Sequence, residues 1–269
     1  MRHADELWVC HLGHVPYSDS VALQGTLRER RIAGELPDVM LMLEHPPTYT
    51  RGRRSGAEDL PFPEDFYRAK GIDVFDTDRG GKLTYHGPGQ LVGYPIIGID
   101  DIGRYLRTME AAIIAALAEH SITARSRADE GIDYTGVWVD ERKIASIGVH
   151  VSRGVTTHGF AVNVSNDLEP FSWVTACGLA DVQMTSIAAE LARSNPQHAD
   201  CDSAAPGSAS ALRGSGMACF RKEIAYRFCE AHGRRQRLVS PARLGIAPTQ
   251  PSGGAPAGAE LISSEMVPA

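Results

Sequence analysis

Three features of this sequence predict an α/β (α+β) fold with a mixed, largely antiparallel sheet flanked by helices. Gly136 to Val139, Lys143 to Val151 and Val155 to Val164 are strand-like runs divided by turn-like pieces at Asp140-Glu141 and Ser152 to Gly154, the pattern of an antiparallel meander. Asp100 to His120 carries Leu106, Met109, Ile113, Ala116 and Leu117 at helical spacing, the signature of an amphipathic helix lying on a sheet. Val39 to Leu43 is an unbroken apolar run of strand length.

The other elements follow in order. Leu7 to Leu12 reads as a first strand, with Ser18 or Asp19 as the N-cap of a helix through about Gly34. The adjacent prolines of EHPPTYTRGRR stop regular structure after Leu43 and leave Arg51, Arg53 and Arg54 on a loop. A short helix near Glu64 to Lys70 precedes a strand from Ile72 to Phe75. Beyond the meander, a helix is expected to begin near Asp181, and Met217 opens a last helix in which Phe220, Ile224 and Phe228 are spaced for packing. The domain reading is a core over residues 1–193, a flexible insertion over 194–216, a helix over 217–233 that completes the domain, and a disordered tail over 234–269.

Composition limits the function. With 269 residues, 43% hydrophobic and 22% charged, the chain can bury one sizeable core. A formal net charge of -6 argues against a nucleic-acid partner, which calls for a strongly basic face. Five cysteines without a CxxC pair suggest neither a disulfide framework nor a zinc knuckle, and the histidine spacings resemble no metal site. MRHADELWVCH carries charges where a signal peptide needs an apolar centre, and no run approaches membrane-spanning length. The expectation is a cytoplasmic protein with no metal, no cofactor and no membrane partner.

Chemistry concentrates in three stretches. RGGKLTYHGPGQLVGYP, Arg79 to Pro95, sets four of its glycines, two prolines and His86 around strand-like pieces. This is either an ordinary hairpin connection or a loop whose bare main chain and one imidazole face a ligand. In the meander, Ser146, Gly148 and His150 alternate with Ile147, Val149 and Val151, while Gly159 and Ala161 alternate with His158, Phe160 and Val162. Two neighbouring small-residue faces either line a channel for a straight apolar chain or let a helix pack closely. Cys177 precedes the helix expected near Asp181, where a thiolate would be favoured, although a free cysteine is more often a small buried hydrophobe. Lys143 is the candidate partner: an ammonium within about 4 Å of a thiolate supplies roughly 4 kcal/mol at an effective dielectric near 20, some three pKa units before desolvation.

RGGKLTYHGPGQLVGYP, KIASIGVHV, HGFAVNVSNDLEPF and ACGL with a following MTSI occur in the order found in the lipoyl(octanoyl) transferases. The sequence closely resembles that family from about Trp8 to Leu191, with EHPPTYTRGR a further similar stretch. The resemblance implies the fold of the biotin and lipoate protein ligases. It also implies transfer of an octanoyl or lipoyl group from acyl carrier protein to a lysine of lipoyl domains, those of 2-oxoacid dehydrogenases and of the glycine cleavage H protein. Cys177 matches the family's nucleophile and Lys143 the lysine that lowers its pKa. Arg79, Gly80, Gly81, Lys82, Leu83, Thr84, Tyr85 and His86, with Ser146, Ile147, Gly148, Gly159, Phe160 and Ala161, match its acyl-binding stretches. Ala176 replaces a proline usual before the cysteine, and Arg51 stands where an apolar residue is common.

By the same resemblance no ATP is needed, since a thioester is already activated. An ATP-dependent ligase of the same fold and a catalytically silent acyl-carrier-binding module are the alternatives. His86 either orients or donates to reacting groups, or ties its loop to the sheet. His150 and His158 read as structural or cleft-wall residues. The arginines near Arg51 and Arg79 are either solvated surface or a landing for an acidic carrier protein.

Overall fold

The computed structural model describes residues 5–175, 182–194 and 216–246. The first strand, β1 (Glu6–His14), runs into Pro16, which presets the backbone so that α1 (Tyr17–Ile32) starts at once. The helix therefore begins ahead of the expected cap, and Asp19 falls in its first turn, where a carboxylate suits the dipole. The next strand, β2 (Asp38–Glu44), is buried on both faces apart from its last residue, as its apolar run requires.

Pro46 and Pro47 end β2, but the loop expected after them is short. Thr48, Tyr49 and Thr50 return to pairing as β3 (Thr48–Arg51), between β4 (Asp73–Asp76) and β5 (Thr84–His86) in a separate three-stranded sheet. Threonine and tyrosine favour a pleated, half-buried surface, and that preference takes over once the prolines are passed. Arg51 is thereby drawn off the loop into ion pairs with Asp76 (2.7 Å) and Glu64 (3.1 Å), the latter on α2 (Glu64–Ala69).

The main sheet continues with β6 (Gln90–Ile96), β7 (Arg125–Ser126), β8 (Gly136–Val139), β9 (Arg142–Ser152), β10 (Val155–Asn163), β11 (Gln183–Met184) and β12 (Arg235–Leu238). Its order is β12-β1-β2-β6-β10-β9-β8-β7, with β11 also on β9. β1 pairs in parallel with both β2 and β12, whereas the path from β2 to β7 is antiparallel, so the sheet is mixed and largely antiparallel.

Alternation along the strands makes two cores. Leu7, Met40, Met42, Leu91 and Val162 face α3 (Ile102–Ala118) and α5 (Met217–Ala231), whose Met109, Ile113, Phe220, Ile224 and Phe228 are fully buried. Each such side chain stabilises the fold by about 1.5–3 kcal/mol. Trp8, Val39, Leu41, Val92 and Tyr94 face the opposite way, toward Leu27 of α1. A third cluster, with Tyr49, Tyr67, Leu83 and Tyr85, underlies the small sheet.

Two expectations are corrected here. The helix placed near Asp181 is α4 (Ile187–Ser194), where the Ser186 hydroxyl accepts from the Ala189 amide at 3.1 Å as an N-cap. It starts ten residues beyond Cys177 in sequence, and Cys177 itself lies outside the described residues. Of the tail expected to be disordered over 234–269, the described part instead supplies β12 and a 3-10 turn at Pro241–Leu244, and residues 247–269 lie outside the described residues. RQRL has no apolar pattern; it is held by backbone pairing to the edge of β1, by Glu6 at 2.7 Å from Arg235, and by Leu244, which is buried in the α1 core. The expected insertion lies almost wholly outside the described residues.

Candidate functional site

Where the small faces of β9 and β10 meet the loop before β5, the structure has a cleft of about 350 Å³. Ser146 opposes Ala161 and Gly148 opposes Gly159 across the two strands, so their small faces are direct neighbours. Close main-chain approach is what requires the glycines. A Cβ on Gly148 would sit 2.7 Å from the carbonyl oxygen of Gly80, and one on Gly159 would collide with the Gly93 carbonyl. The Gly80 amide donates to the Val149 carbonyl at 2.9 Å, which lays the glycine loop against the strand.

Arg79 anchors the loop's other side. Its guanidinium, nearly buried, donates to the Thr50 carbonyl at 2.5 Å and to the Thr50 hydroxyl at 2.8 Å. The cleft wall then runs through Gly80, Gly81, Lys82, Leu83, Thr84 and His86. Tyr85, expected in the same wall, is not part of it. Strand alternation turns its ring the other way, onto Tyr49 (5.5 Å between centroids) and Phe171 (5.4 Å). Ile147 and Phe160 line the cleft while also packing in the α3 core.

Lys143 reaches the cleft because of a β-bulge. The β8–β9 register passes from Val137 opposite Ala145 to Trp138 opposite Lys143, leaving Ile144 as the extra residue. Ile144 and Ala145 both pack toward α3, and Lys143 is returned to the opposite face. Without the extra residue, alternation would aim the ammonium into the helix core. Lys143 is 2% exposed, with Nζ 5.3 Å from the centre of the Trp138 ring.

His86 sits in a chain of hydrogen bonds that fixes its tautomer. Thr185 O accepts from Asn163 Nδ2 (2.9 Å), and Asn163 Oδ1 accepts from Gln90 Nε2 (3.0 Å), which also donates to Tyr85 O. Gln90 therefore presents Oε1 to His86 Nδ1 at 2.7 Å, and Nδ1 carries the hydrogen. Burial, together with the nearby His45 ring, holds the pKa of His86 well below the usual value, so the ring is neutral and Nε2 is an acceptor. His86 ties its loop to the sheet, and in this state it cannot donate to a substrate carbonyl.

The cleft is also lined by Tyr17 and Tyr94, which the sequence reading did not single out, and by His158, which it read as a structural or cleft-wall residue. His158 has φ +57°, its amide donates to Gln24 Oε1 on α1 at 2.6 Å, and its Nε2 lies 2.7 Å from Asp78 Oδ1. That bond holds the Asp78 carboxyl down at about 2. His150 is placed 3.6 Å from the same carboxylate and does not line the cleft. Tyr17 lies more than 60 residues from the glycine loop in sequence, and only tertiary folding reveals the neighbourhood.

At the mouth stand Arg53, Arg54, Ile102 and Ile132, with Arg54 2.6 Å from Asp133. Cys177 and Ala176 lie outside the described residues. Among the described residues no group of three His, Cys, Asp or Glu side chains could hold a metal ion, and no helix is long and apolar enough to cross a membrane.

A mixed sheet with helices on both faces is the fold of the solved lipoate protein ligases. The lipoic-acid-bound structure of Ta0514, a lipoate protein ligase from T. acidophilum, superposes with a TM-score of 0.62 over 87% of this chain and 89% of that one, at 18% identity. Within that class the sequence is decisive: the chain belongs to the Lipoyl protein ligase A/B catalytic domain family, which matches residues 16–204. The octanoyltransferase of Rubrobacter xylanophilus is 46% identical over 188 residues, 68% of this chain and 83% of its own. The octanoyltransferase of Mycobacterium leprae is 46% identical over 190 residues, 69% of this chain and 79% of its own.

Proposed function

We propose that this protein is an octanoyltransferase: it takes an octanoyl group from acyl carrier protein, holds it as a thioester on Cys177, and passes it to a lysine of a lipoyl domain. The observation that carries this reading is the cleft itself, an apolar slot between glycine-laid strands with the buried ammonium of Lys143 on its wall. Membership of the family and the octanoyltransferase relatives support it.

In the first step the Cys177 thiolate attacks the octanoyl thioester carbon, a new C–S bond forms, and the carrier's thiolate leaves and takes up a proton. In the second the neutral amine of the acceptor lysine attacks the enzyme thioester. The C–N bond forms, the proton lost by nitrogen is carried off, and Cys177 returns to its thiolate. Lys143 stabilises the thiolate and ferries the proton. Because His86 offers an acceptor, the donors for the tetrahedral oxyanion fall to backbone N–H groups.

Neither step consumes ATP. Purified protein mixed with octanoyl carrier protein and a lipoyl domain should yield octanoylated domain without nucleotide, and Lys143→Ala should slow it by at least about 100-fold, the scale of positioned proton transfer. Product that appears only when ATP is supplied would replace this reading with that of a ligase.

A further inference from the structure

The strands that frame the cleft also act as a ruler. Along β9, Lys143 and Gly148 are five residues apart, one of them the extra residue of the bulge, which leaves four pleated steps of about 3.3 Å, or about 13 Å. Gly148 faces Gly159 on β10, and β6 continues the level sideways, since Phe160 opposes Gly93 and places Tyr94 beside Gly159. Tyr94 and His158 meet edge to face there, at 6.2 Å between centroids.

Three members of this end wall are locked by side-chain hydrogen bonds: Tyr94 to His45 at 2.8 Å, His158 to Asp78 at 2.7 Å, and His86 to Gln90 at 2.7 Å. Tyr17 is wedged among them by ring packing, 6.1 Å from His86, 5.3 Å from Phe75 and 5.2 Å from His45, and it is 4% exposed. A wall so supported does not yield to an apolar chain pushed against it.

An extended chain advances about 1.2 Å per bond, so an octanoyl group spans about 8 Å from carbonyl to methyl and a sixteen-carbon group about 18 Å. About 13 Å along the strand, or about 16 Å once the two inter-strand spacings of about 4.8 Å to Tyr94 are added at right angles, holds the shorter chain with its head group at Lys143 and excludes the sixteen-carbon one. We infer that Tyr17, backed by Tyr94 and His158, is the residue that sets acyl-chain length in this cleft. The inference rests on the acyl-transfer reading above and adds which side chain makes the slot selective.

The test is acylation of the protein by carrier proteins loaded with eight-, twelve- and sixteen-carbon chains, followed by intact mass. Wild type should take eight carbons over sixteen by more than about tenfold, since each misfitting methylene costs about 10-fold or more. Tyr17→Leu, which keeps an apolar side chain on α1 but removes the ring, should narrow that ratio at least about tenfold. Tyr17→Phe keeps the ring and should leave it unchanged, which separates ring bulk from loss of the hydroxyl.

If wild type takes no acyl group from any carrier, the transfer reading fails. If wild type is acylated by eight carbons and folded Tyr17→Leu shows the same chain-length profile, the gauge alone fails. Should Tyr17→Leu not fold, Tyr17→Trp decides: the larger ring must shorten the longest chain the protein accepts, and an unchanged profile overturns the inference.

Discussion

Histidine 45 shows how burial at a single residue becomes a dependence on pH. Its ring is bonded to the Val15 carbonyl at 2.7 Å and to the Tyr94 hydroxyl at 2.8 Å, and burial lowers its pKa to about 4. Because this folded value lies below the unfolded one near 6.5, the unfolded chain takes the proton first. Stability is therefore complete above about pH 6.5 and falls as pH drops toward 4, by about 3 kcal/mol for this ring. His86 acts in the same direction. Asp78, held at about 2, loses its contribution only in a lower window, as pH falls from about 4 toward 2. Denaturant unfolding of wild type and His45→Gln at pH 7.5, 5.5 and 4.5 should show a decline for wild type that the variant blunts. Equal slopes would mean that His45 is not neutral in the fold.

At the level of elements, the glycine loop and β9 form one unit through the Gly80–Val149 hydrogen bond. Gly148→Ala puts a methyl 2.7 Å from the Gly80 carbonyl and 3.3 Å from Arg79 Cδ, so the loop must lift. We expect a loss of about 1–3 kcal/mol in stability and a greater loss in octanoyl transfer. Unchanged transfer would show that the loop need not touch the strand. Much of this unit was legible in the sequence. The meander and its small faces follow from alternation, and the lining run from Arg79 to Thr84 from the resemblance to the family. The bulge was not, because KIASIGVHV alternates whether or not Ile144 is an extra residue, and only the partner strand reveals the slip. Tyr85 was misplaced for a related reason: a matching stretch names neighbours in sequence, while a strand sends them to opposite faces. Tyr17 and Asp78 carry no local signal, and β12 lacks one because backbone pairing, not apolar patterning, holds it.

Across the whole molecule, a net charge of -6 coexists with Arg53 and Arg54 at the cleft mouth, beside Ile102 at 49% and Ile132 at 69% exposure. An acidic carrier protein delivering an apolar chain suits such a rim. Arg54 shares its charge with Asp133 at the rim, while Arg51, grouped with these arginines in the sequence, is turned away to Asp76 and Glu64. Reversing charge at Arg53 and Arg54 should raise KM for octanoyl carrier protein about tenfold at low salt, with kcat little changed and the difference fading as salt rises. A KM that ignores both the substitutions and the salt would remove the rim from the docking surface.

The account as a whole stands on an acyl group passing through the sulfur of Cys177. The most direct measurement is the intact mass of the protein after exposure to octanoyl carrier protein without acceptor, before and after hydroxylamine. Wild type should gain the mass of one octanoyl group, lose it to hydroxylamine, and pass it on when lipoyl domain is added, while Cys177→Ala gains nothing. A lipoyl domain octanoylated at the wild-type rate by Cys177→Ala would contradict the account.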